Sequence, residues 1–432
     1  MHKIAGPKFS EKIFKAYDIR GKYSDEINED AVYRIARAYS AYLGLGSRPA
    51  WADRGKSLDV VVSSDARPSS PKLKKAFIDG LLKEGVKVID AGVTTTPMHY
   101  FIVNKTNADG GAMVTASHRP FEYNGLKLSR RQAEILGEGN GMEEIRNSSL
   151  RGVFLDKELG SVTTKDFKKE YFDFFKEKFA QLENYKIKIK IDAENSVTEL
   201  FFKDLISEFP KFELASKKYD MGVSFDRDGD RIKFKDEKGN EILGDFITAL
   251  LVGYFDGQNS FIYDIRSSRV VKEEIEKHGG RAIESRVGHS FIKKSMREHC
   301  AIFAGELVGH YYFKDFFYAD SALFAMFCVI DLLRKSKKSL SELIAPLQRY
   351  FATTELNFEV SNKNKEILID KAAAAFSDGK ISYLDGVKID YPDWWFILRP
   401  SNTEDVIRLR VEAETQKLLE EKRKQILESL GF

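Results

Sequence analysis

Short apolar runs, each closed by a polar loop, recur along this chain between stretches whose apolar residues fall at helical spacing. Asp59-Val60-Val61-Val62-Ser63, Ala112-Met113-Val114, Gly222-Val223-Ser224-Phe225 and Phe261 to Asp264 are runs of this kind. A run apolar on both faces suits a strand buried between layers. Strands that alternate with helices make doubly wound α/β units, whose chemistry gathers on the loops at the strand C-terminal ends. At 432 residues the chain exceeds one ordinary core, so roughly two to four domains are expected.

Taken in order, Ile13 to Gly21 reads as a first strand, followed by a helix over Glu29 to Leu43. Ser70 is placed to cap a helix that has Pro71 at its first turn and runs to Leu82, with Gly85 closing it. A strand over Val86 to Asp90 and a helix from near Pro97 lead to the Ala112 strand. A charged amphipathic helix over Thr164 to Leu182 links to a second unit. That unit holds a strand over Tyr185 to Asp192, a helix from Ser196 to Phe209, the Gly222 strand and a hairpin over Ile232 to Ile242. A third unit follows, from the helix Asp245 to Tyr254 through an apolar helix over Asp320 to Leu333. Past Lys335–Ser339 the pattern changes. A helix over Glu366 to Phe376, strands over Trp394 to Leu398 and Val406 to Val411, and a terminal helix read as an α+β domain with an antiparallel sheet. The expected domains are 1–150, 151–250, 251–352 and 353–432.

A net charge of +3 with no basic block argues against nucleic acid as the main partner. No apolar run approaches the ~18 residues that would span a bilayer, and the N-terminus lacks the apolar core of a signal peptide. A cytoplasmic protein with no membrane partner is expected, with Cys300 and Cys328 as buried free thiols.

Four loops carry residue types that point to chemistry. Thr115-Ala116-Ser117-His118-Arg119-Pro120 puts a serine at a strand exit beside a histidine, with Lys127 ten residues on. A serine hydroxyl is a weak nucleophile without a base or charge field, so Ser117 depends on its company. Asp226, Asp228 and Asp230 alternate on a strand-end loop with Gly229. Carboxylates this close repel unless a cation is bound, and hard oxygen ligands favour Mg²⁺. A solvated acidic turn is the plainer alternative; an EF-hand Ca²⁺ loop lacks its bidentate Glu. Arg399-Pro400-Ser401-Asn402-Thr403 has the inventory of an anion cradle, or of a polar turn capping the next element. Gly305-Glu306-Leu307-Val308-Gly309-His310 offers a carboxylate for two sugar hydroxyls, or is a turn with a surface Glu. His289 after Gly288 is as readily structural as functional. His99 reads as structural, and Arg20 as a solvated residue on the first strand.

In their order, Ala16 to Gly21, Thr115 to His118, the Asp226 loop, Val287 to Ile292, Gly305 to His310 and Arg399 to Glu404 resemble the α-D-phosphohexomutase superfamily, closest to its phosphomannomutase/phosphoglucomutase group. The resemblance spans nearly the whole chain. It implies three successive mixed α/β domains and a smaller, mobile C-terminal lid around a central cleft. It also implies Ser117 as a phosphoserine, with Asp226, Asp228 and Asp230 holding Mg²⁺ together with its phosphate. Glu306 then binds sugar hydroxyls, and Arg399, Ser401, Asn402 and Thr403 hold the non-reacting phosphate, with Arg408 on the next strand. Arg20, His118, Lys127, Arg231 and His310 fall on catalytic positions, and Arg266, His289 and Val308 on substrate positions. The implied reaction interconverts hexose 1-phosphate and 6-phosphate, of mannose or glucose, through a 1,6-bisphosphate that also acts as activator. Lys127 or His310 is the acid/base, and the protein is a monomer or homodimer.

Three departures sit in these loops. Arg119 stands where the group usually has Asn, Arg227 where Gly is usual, and Val308 where a Ser normally contacts the sugar. Losing that hydroxyl costs on the order of 0.5–1.5 kcal/mol of binding. Arg227 would be strained if its position needs a positive φ. The departures keep open an alternative: a phosphosugar-binding homologue with little turnover. Arg119 and Arg227 are expected near Ser117, co-stabilising its phosphate.

Overall fold

The computed structural model describes residues 2–3, 10–46, 57–154, 157–192, 197–255, 257–401 and 405–432. It divides into two compact units, Met1–Gly239 with Tyr312–Lys337, and Asn240–Tyr311 with Lys338–Phe432.

In the first unit, one sheet runs in the order Ile19–Lys22, Tyr123–Arg130, Gly110–Val114, Asp59–Ser64, Lys87–Val93, Ser161–Thr164. The last four are parallel, and Tyr123–Arg130 is antiparallel to both of its neighbours. Val60, Val62, Ala112, Val114 and Leu126 bury one face against Ile35, Tyr39, Leu73 and Phe77 of the helices Glu29–Gly46 and Ser70–Leu82. The pair Gly110-Gly111 lets helices approach both faces. A Cβ on Gly110 would lie 2.2 Å from the Tyr39 hydroxyl, and one on Gly111 would lie 2.5 Å from Val103 of the helix Thr96–Lys105.

A second sheet in this unit pairs Ile187–Asp192 in parallel with Phe212–Leu214 and with Met221–Phe225, and the latter antiparallel with Ile232–Lys235. Its alternation is that of a half-buried sheet: Ile187, Ile189, Ile232 and Phe234 are buried while Lys188 and Lys233 are exposed. Aromatic rings fill the space beneath. Phe327 of the helix Ala322–Ser336 lies 5.2 Å from Phe175 and 4.9 Å from Phe209 between ring centroids, and Phe324 lies 5.1 Å from Phe179.

Three local expectations are corrected. The helix expected over Thr164 to Leu182 is preceded by a strand, Ser161–Thr164, and itself spans only Lys168–Lys178. Val162, Thr163 and Thr164 are β-branched and complete the sheet edge beside Val88–Asp90. Ser70 does not cap its helix: Ser69 holds the cap position, and the Ser70 hydroxyl donates to Asp65 Oδ1 at 2.6 Å. Both cysteines are free, but Cys300 is exposed at the end of its helix.

In the second unit, Ser260–Asp264 pairs in parallel with Arg281–Ser285 and Phe303–Gly305. The C-terminal portion is an antiparallel sheet, centred on Trp394–Pro400 and Val406–Ala413, with the helices Asn362–Ala375 and Gln416–Leu430 over one face. Phe396, Leu398, Ile407, Leu409 and Val411 meet Ala372, Phe376, Leu419 and Ile426 there. The opposite face carries Trp395, Ile397, Arg410 and Glu412. Trp395 and Ile397 pack on Ile265, and Arg410 pairs with Asp245 at 2.8 Å, both almost fully buried. Glu412 Oε1 accepts the Trp395 indole at 2.7 Å and the Arg269 amide at 2.9 Å. Among the described residues, no helix is long and apolar enough to cross a membrane.

A buried ion pair is costly to halve. Arg410→Ala is expected to destabilise the protein by about 3–5 kcal/mol, with most of the loss recovered in Arg410→Met/Asp245→Leu. Urea unfolding followed by tryptophan fluorescence measures both.

Candidate active site

Ser117 leaves the strand Gly110–Val114 with φ 51°, in the left-handed region, and is 2% exposed. An L-residue pays roughly 1–2 kcal/mol there, and such strain collects where geometry serves function. The Ser117 amide donates to Thr115 Oγ1 at 2.9 Å. Its hydroxyl donates to Asp226 Oδ2 at 3.3 Å and lies 3.5 Å from His118 Nδ1. Desolvation, then the Arg231 and Arg20 guanidiniums, push the His118 imidazole down to about 3, which favours the neutral ring. Arg20, on the first strand, is paired with the buried Asp18.

The strand Met221–Phe225 delivers Asp226, Asp228 and Asp230. Gly229 turns the loop with φ 72°, where a Cβ would lie 2.6 Å from Thr198 Oγ1. One carboxylate oxygen from each aspartate falls within 4.8 Å of the others. Burial first, then Asp230 and Asp228, push the Asp226 carboxyl well above the usual range. Lys127 Nζ lies 2.8 Å from Asp228 Oδ2 and 2.5 Å from Asp230 Oδ2. Burial opposes its charge, but those two carboxylates outweigh it and hold Lys127 well above the usual lysine range. Its neighbours here are anionic, and they favour the charged form. Asp228 Oδ1 is buried without a hydrogen-bond partner. Three hard oxygen ligands that repel one another, one of them unsatisfied, fit a divalent cation.

The departures fall into place here. Arg227 does not have a positive φ, so the strain considered for it is not incurred. Its Nη1 donates to the Arg119 carbonyl at 2.9 Å and its guanidinium stacks 4.2 Å over the Phe121 ring, tying the aspartate loop to the serine loop. Arg119 contributes its carbonyl to this tie, while its guanidinium lies 6.0 Å from the Tyr123 ring. Neither guanidinium hydrogen-bonds the Ser117 hydroxyl. The Arg231 amide donates to Asp226 Oδ1 at 3.1 Å, and its guanidinium lies 3.8 Å from Oδ2.

In the second unit, Glu306 and His310 are both buried, with His310 Nδ1 3.1 Å from Glu306 Oε1. Arg266 is 1% exposed and held by Asp264, through Nε at 3.1 Å and Nη2 at 2.8 Å, and by Glu355 at 3.1 Å. Its Nη2 lies 3.8 Å from Glu306. Desolvation disfavours its charge, but Asp264 and Glu355 raise its pKa regardless. Arg266 is thus held by Asp264 and Glu355, with Glu306 beside it. Val308 is half-buried, and His289 opens the helix His289–Glu298. Arg399 Nε donates to Asp385 at 3.1 Å, and the same Asp385 oxygen accepts the Val287 amide at 3.1 Å, which joins the Arg399 loop to the His289 loop. Arg408 is paired opposite Arg399 in the sheet, and the Ser401 amide donates to the Val406 carbonyl. Asn402 and Thr403 lie outside the described residues.

Asp65, Arg67, Asp264 and Asp385 are organisers that the sequence reading passed over. Asp65 and Arg67 follow the strand Asp59–Ser64 in a polar turn at the sheet's functional end, and Asp264 ends its own strand. Their position was the available signal; Asp385 sits in an Asp-Gly turn that gave none.

Comparison with known proteins bears on the same loops. The families described as Phosphoglucomutase/phosphomannomutase, alpha/beta/alpha domain I, alpha/beta/alpha domain III and C-terminal domain match residues 11–178, 239–350 and 355–429. A phosphomannomutase of Methanocaldococcus jannaschii is 34% identical over 96% of each chain. One from Escherichia coli is 32% identical over 94% of this chain and 96% of its own. The crystal structure of a phosphoglucomutase/phosphomannomutase family protein from Burkholderia thailandensis superposes with a TM-score of 0.85 at 27% identity, covering 98% of both chains.

The tie between the two loops predicts an asymmetry between the two arginines. Arg227→Ala loses a charged hydrogen bond and a ring contact, worth about 1–2 kcal/mol together, whereas Arg119→Ala keeps the carbonyl that the tie uses and leaves the tie intact. Equilibrium denaturation of the two variants checks this.

Proposed function

We propose, from the premise that this chain belongs to the phosphoglucomutase/phosphomannomutase family and is a hexose-phosphate mutase, that it moves a phosphoryl group between the 1- and 6-positions of mannose and glucose phosphates with Ser117 as carrier. The observation that carries this reading is Ser117 itself: a buried serine, strained at φ 51°, with its hydroxyl 3.3 Å from one of three clustered carboxylates.

Phosphorylated Ser117 gives its phosphoryl group to the free sugar hydroxyl. The Ser117 O–P bond breaks, a new O–P bond forms on the sugar, and the hydroxyl proton leaves. The product is a 1,6-bisphosphate, which turns around and returns its other phosphate to Ser117. The same bisphosphate, added in trace amounts, loads Ser117 and acts as activator. Asp226, Asp228 and Asp230 would hold Mg²⁺, which when bound neutralises charge on the transferring phosphate. Lys127 enters as a cation, a donor to phosphoryl oxygens and a proton source, and the Arg231 guanidinium adds to the field beside Asp226. His118, neutral and 3.5 Å from Ser117 Oγ, orients the hydroxyl. Glu306 is assigned to sugar hydroxyls and His310 beside it to the hydroxyl proton. Arg399, Ser401, Asn402, Thr403 and Arg408 are assigned to the non-reacting phosphate. Positioning and charge neutralisation dominate such a transfer. The binding-protein alternative is not favoured, since Arg227 spares Ser117 and strengthens its loop.

The test is ³¹P NMR with Mg²⁺, a trace of glucose 1,6-bisphosphate, and mannose 1-phosphate or glucose 1-phosphate. A growing 6-phosphate signal is expected, absent in Ser117→Ala, lost on chelation with EDTA and restored by Mg²⁺. Inorganic phosphate as the sole product would replace the mutase reading with a phosphatase.

A further inference from the structure

Ser117 sits in a backbone conformation that its own side chain disfavours, so something must hold it there. The structure shows the holder. The Arg67 guanidinium is buried, and all five of its N–H groups are engaged. Nη2 donates to the carbonyls of Ser117 at 2.5 Å and Arg119 at 2.7 Å. Nη1 donates to the carbonyls of Pro120 at 2.6 Å and Tyr123 at 3.1 Å. Nε donates to Asp65 Oδ2 at 3.0 Å.

Asp65 closes the circuit. Its Oδ2 also accepts the Thr115 hydroxyl at 2.7 Å, and Thr115 Oγ1 in turn accepts the Ser117 amide at 2.9 Å. Its Oδ1 accepts the Ser70 hydroxyl at 2.6 Å and the Arg67 amide at 3.1 Å. The nucleophile's peptide groups are thus gripped on both sides: the amide through Thr115 and Asp65, the carbonyl through Arg67. We propose that Arg67, locked by Asp65, is the positioning residue that sets the Ser117 loop in its strained form and aims Oγ at the aspartate cluster. Arg67 acts on no reacting atom; it acts through the Ser117 backbone. Its planar five-donor fork is what the four carbonyls and one carboxylate require. A lysine has three donors around one point and cannot span them.

The proposal rests on Ser117 being the phosphoryl carrier, and the experiment separates the two. Arg67→Lys keeps the charge and is expected to lower kcat by about a hundredfold, the scale of a misplaced reacting group, with KM for the sugar phosphate changed less than about threefold. Thr115→Val removes the other arm of the grip with little change in volume and is expected to lower kcat in the same direction. Combined with Arg67→Lys it adds less than its own effect, because both arms serve one conformation. In Arg67→Ala, added guanidinium ion at concentrations that leave the wild type folded is expected to restore part of kcat. Amide hydrogen exchange at 115–123 is expected to quicken in Arg67→Lys, while exchange in the strand Asp59–Ser64 does not.

An Arg67→Lys variant that keeps wild-type kcat, or one whose exchange at 115–123 is unchanged, overturns the positioning role. A fall in melting temperature with kcat intact marks Arg67 as a purely structural residue and overturns it equally. Failure of the mutase reading shows elsewhere, as wild-type protein that converts no sugar phosphate; the exchange measurement then still decides whether Arg67 holds the loop.

Discussion

The first unit depends on how three clustered carboxylates, two of them buried, are compensated. Asp226, Asp228 and Asp230 arrive on a loop of one sheet, while the groups that answer them come from the other. Lys127 bridges Asp228 and Asp230, the Thr96 amide donates to the Asp228 carbonyl, and its hydroxyl donates to Asp228 Oδ2 at 2.7 Å. Ser117 reaches Asp226, and Arg227 reaches back to the serine loop. Left unanswered, this charge would not stay buried. The carboxylates that fit a cation therefore also dock the aspartate loop against the Ser117 loop, and the two candidate loops are held by one set of bonds.

Buried carboxylates organise the second unit in a similar way. Asp264 accepts three hydrogen bonds from Arg266, counting its backbone amide, and one from the Leu307 amide, so a single side chain sets both the arginine and the loop that bears Glu306. Asp385 joins the Val287 amide to Arg399, and Gly386 beside it has φ 79°, where a Cβ would lie 2.3 Å from the Leu398 carbonyl. Asp65 reaches the Ser117 loop at one remove, through the Thr115 hydroxyl and the Arg67 guanidinium. In each case a buried carboxylate limits the freedom of a candidate site residue by accepting hydrogen bonds from that residue or from groups that hold its loop. Precise placement of this kind is what phosphoryl transfer demands.

Much of this was legible in the chain itself. Apolar runs such as Val60-Val61-Val62 announce buried strands because only the interior of a sheet tolerates them, and the alternation from Ile187 to Asp192 announces a half-buried one. Asp226-Arg227-Asp228-Gly229-Asp230 reads as a cation loop because like charges at that spacing need an opposite charge. Local signals misled where a tertiary partner outbid them. Thr164 joined a sheet edge instead of opening a helix, and the Ser70 hydroxyl went to Asp65 instead of a helix end.

By itself the sequence determined the strand and helix rhythm, the C-terminal change to an antiparallel sheet, and the inventory of groups on each loop. Those follow from periodicity and side-chain chemistry, which are local properties. Only the tertiary structure decided the partners of Lys127, carboxylates 101 and 103 residues away in the chain, and those of Arg67, whose carbonyl partners lie 50 to 56 residues on. Charge state and hydrogen-bond partners are set by distance in space, and distance in space is what a linear reading of residues does not contain.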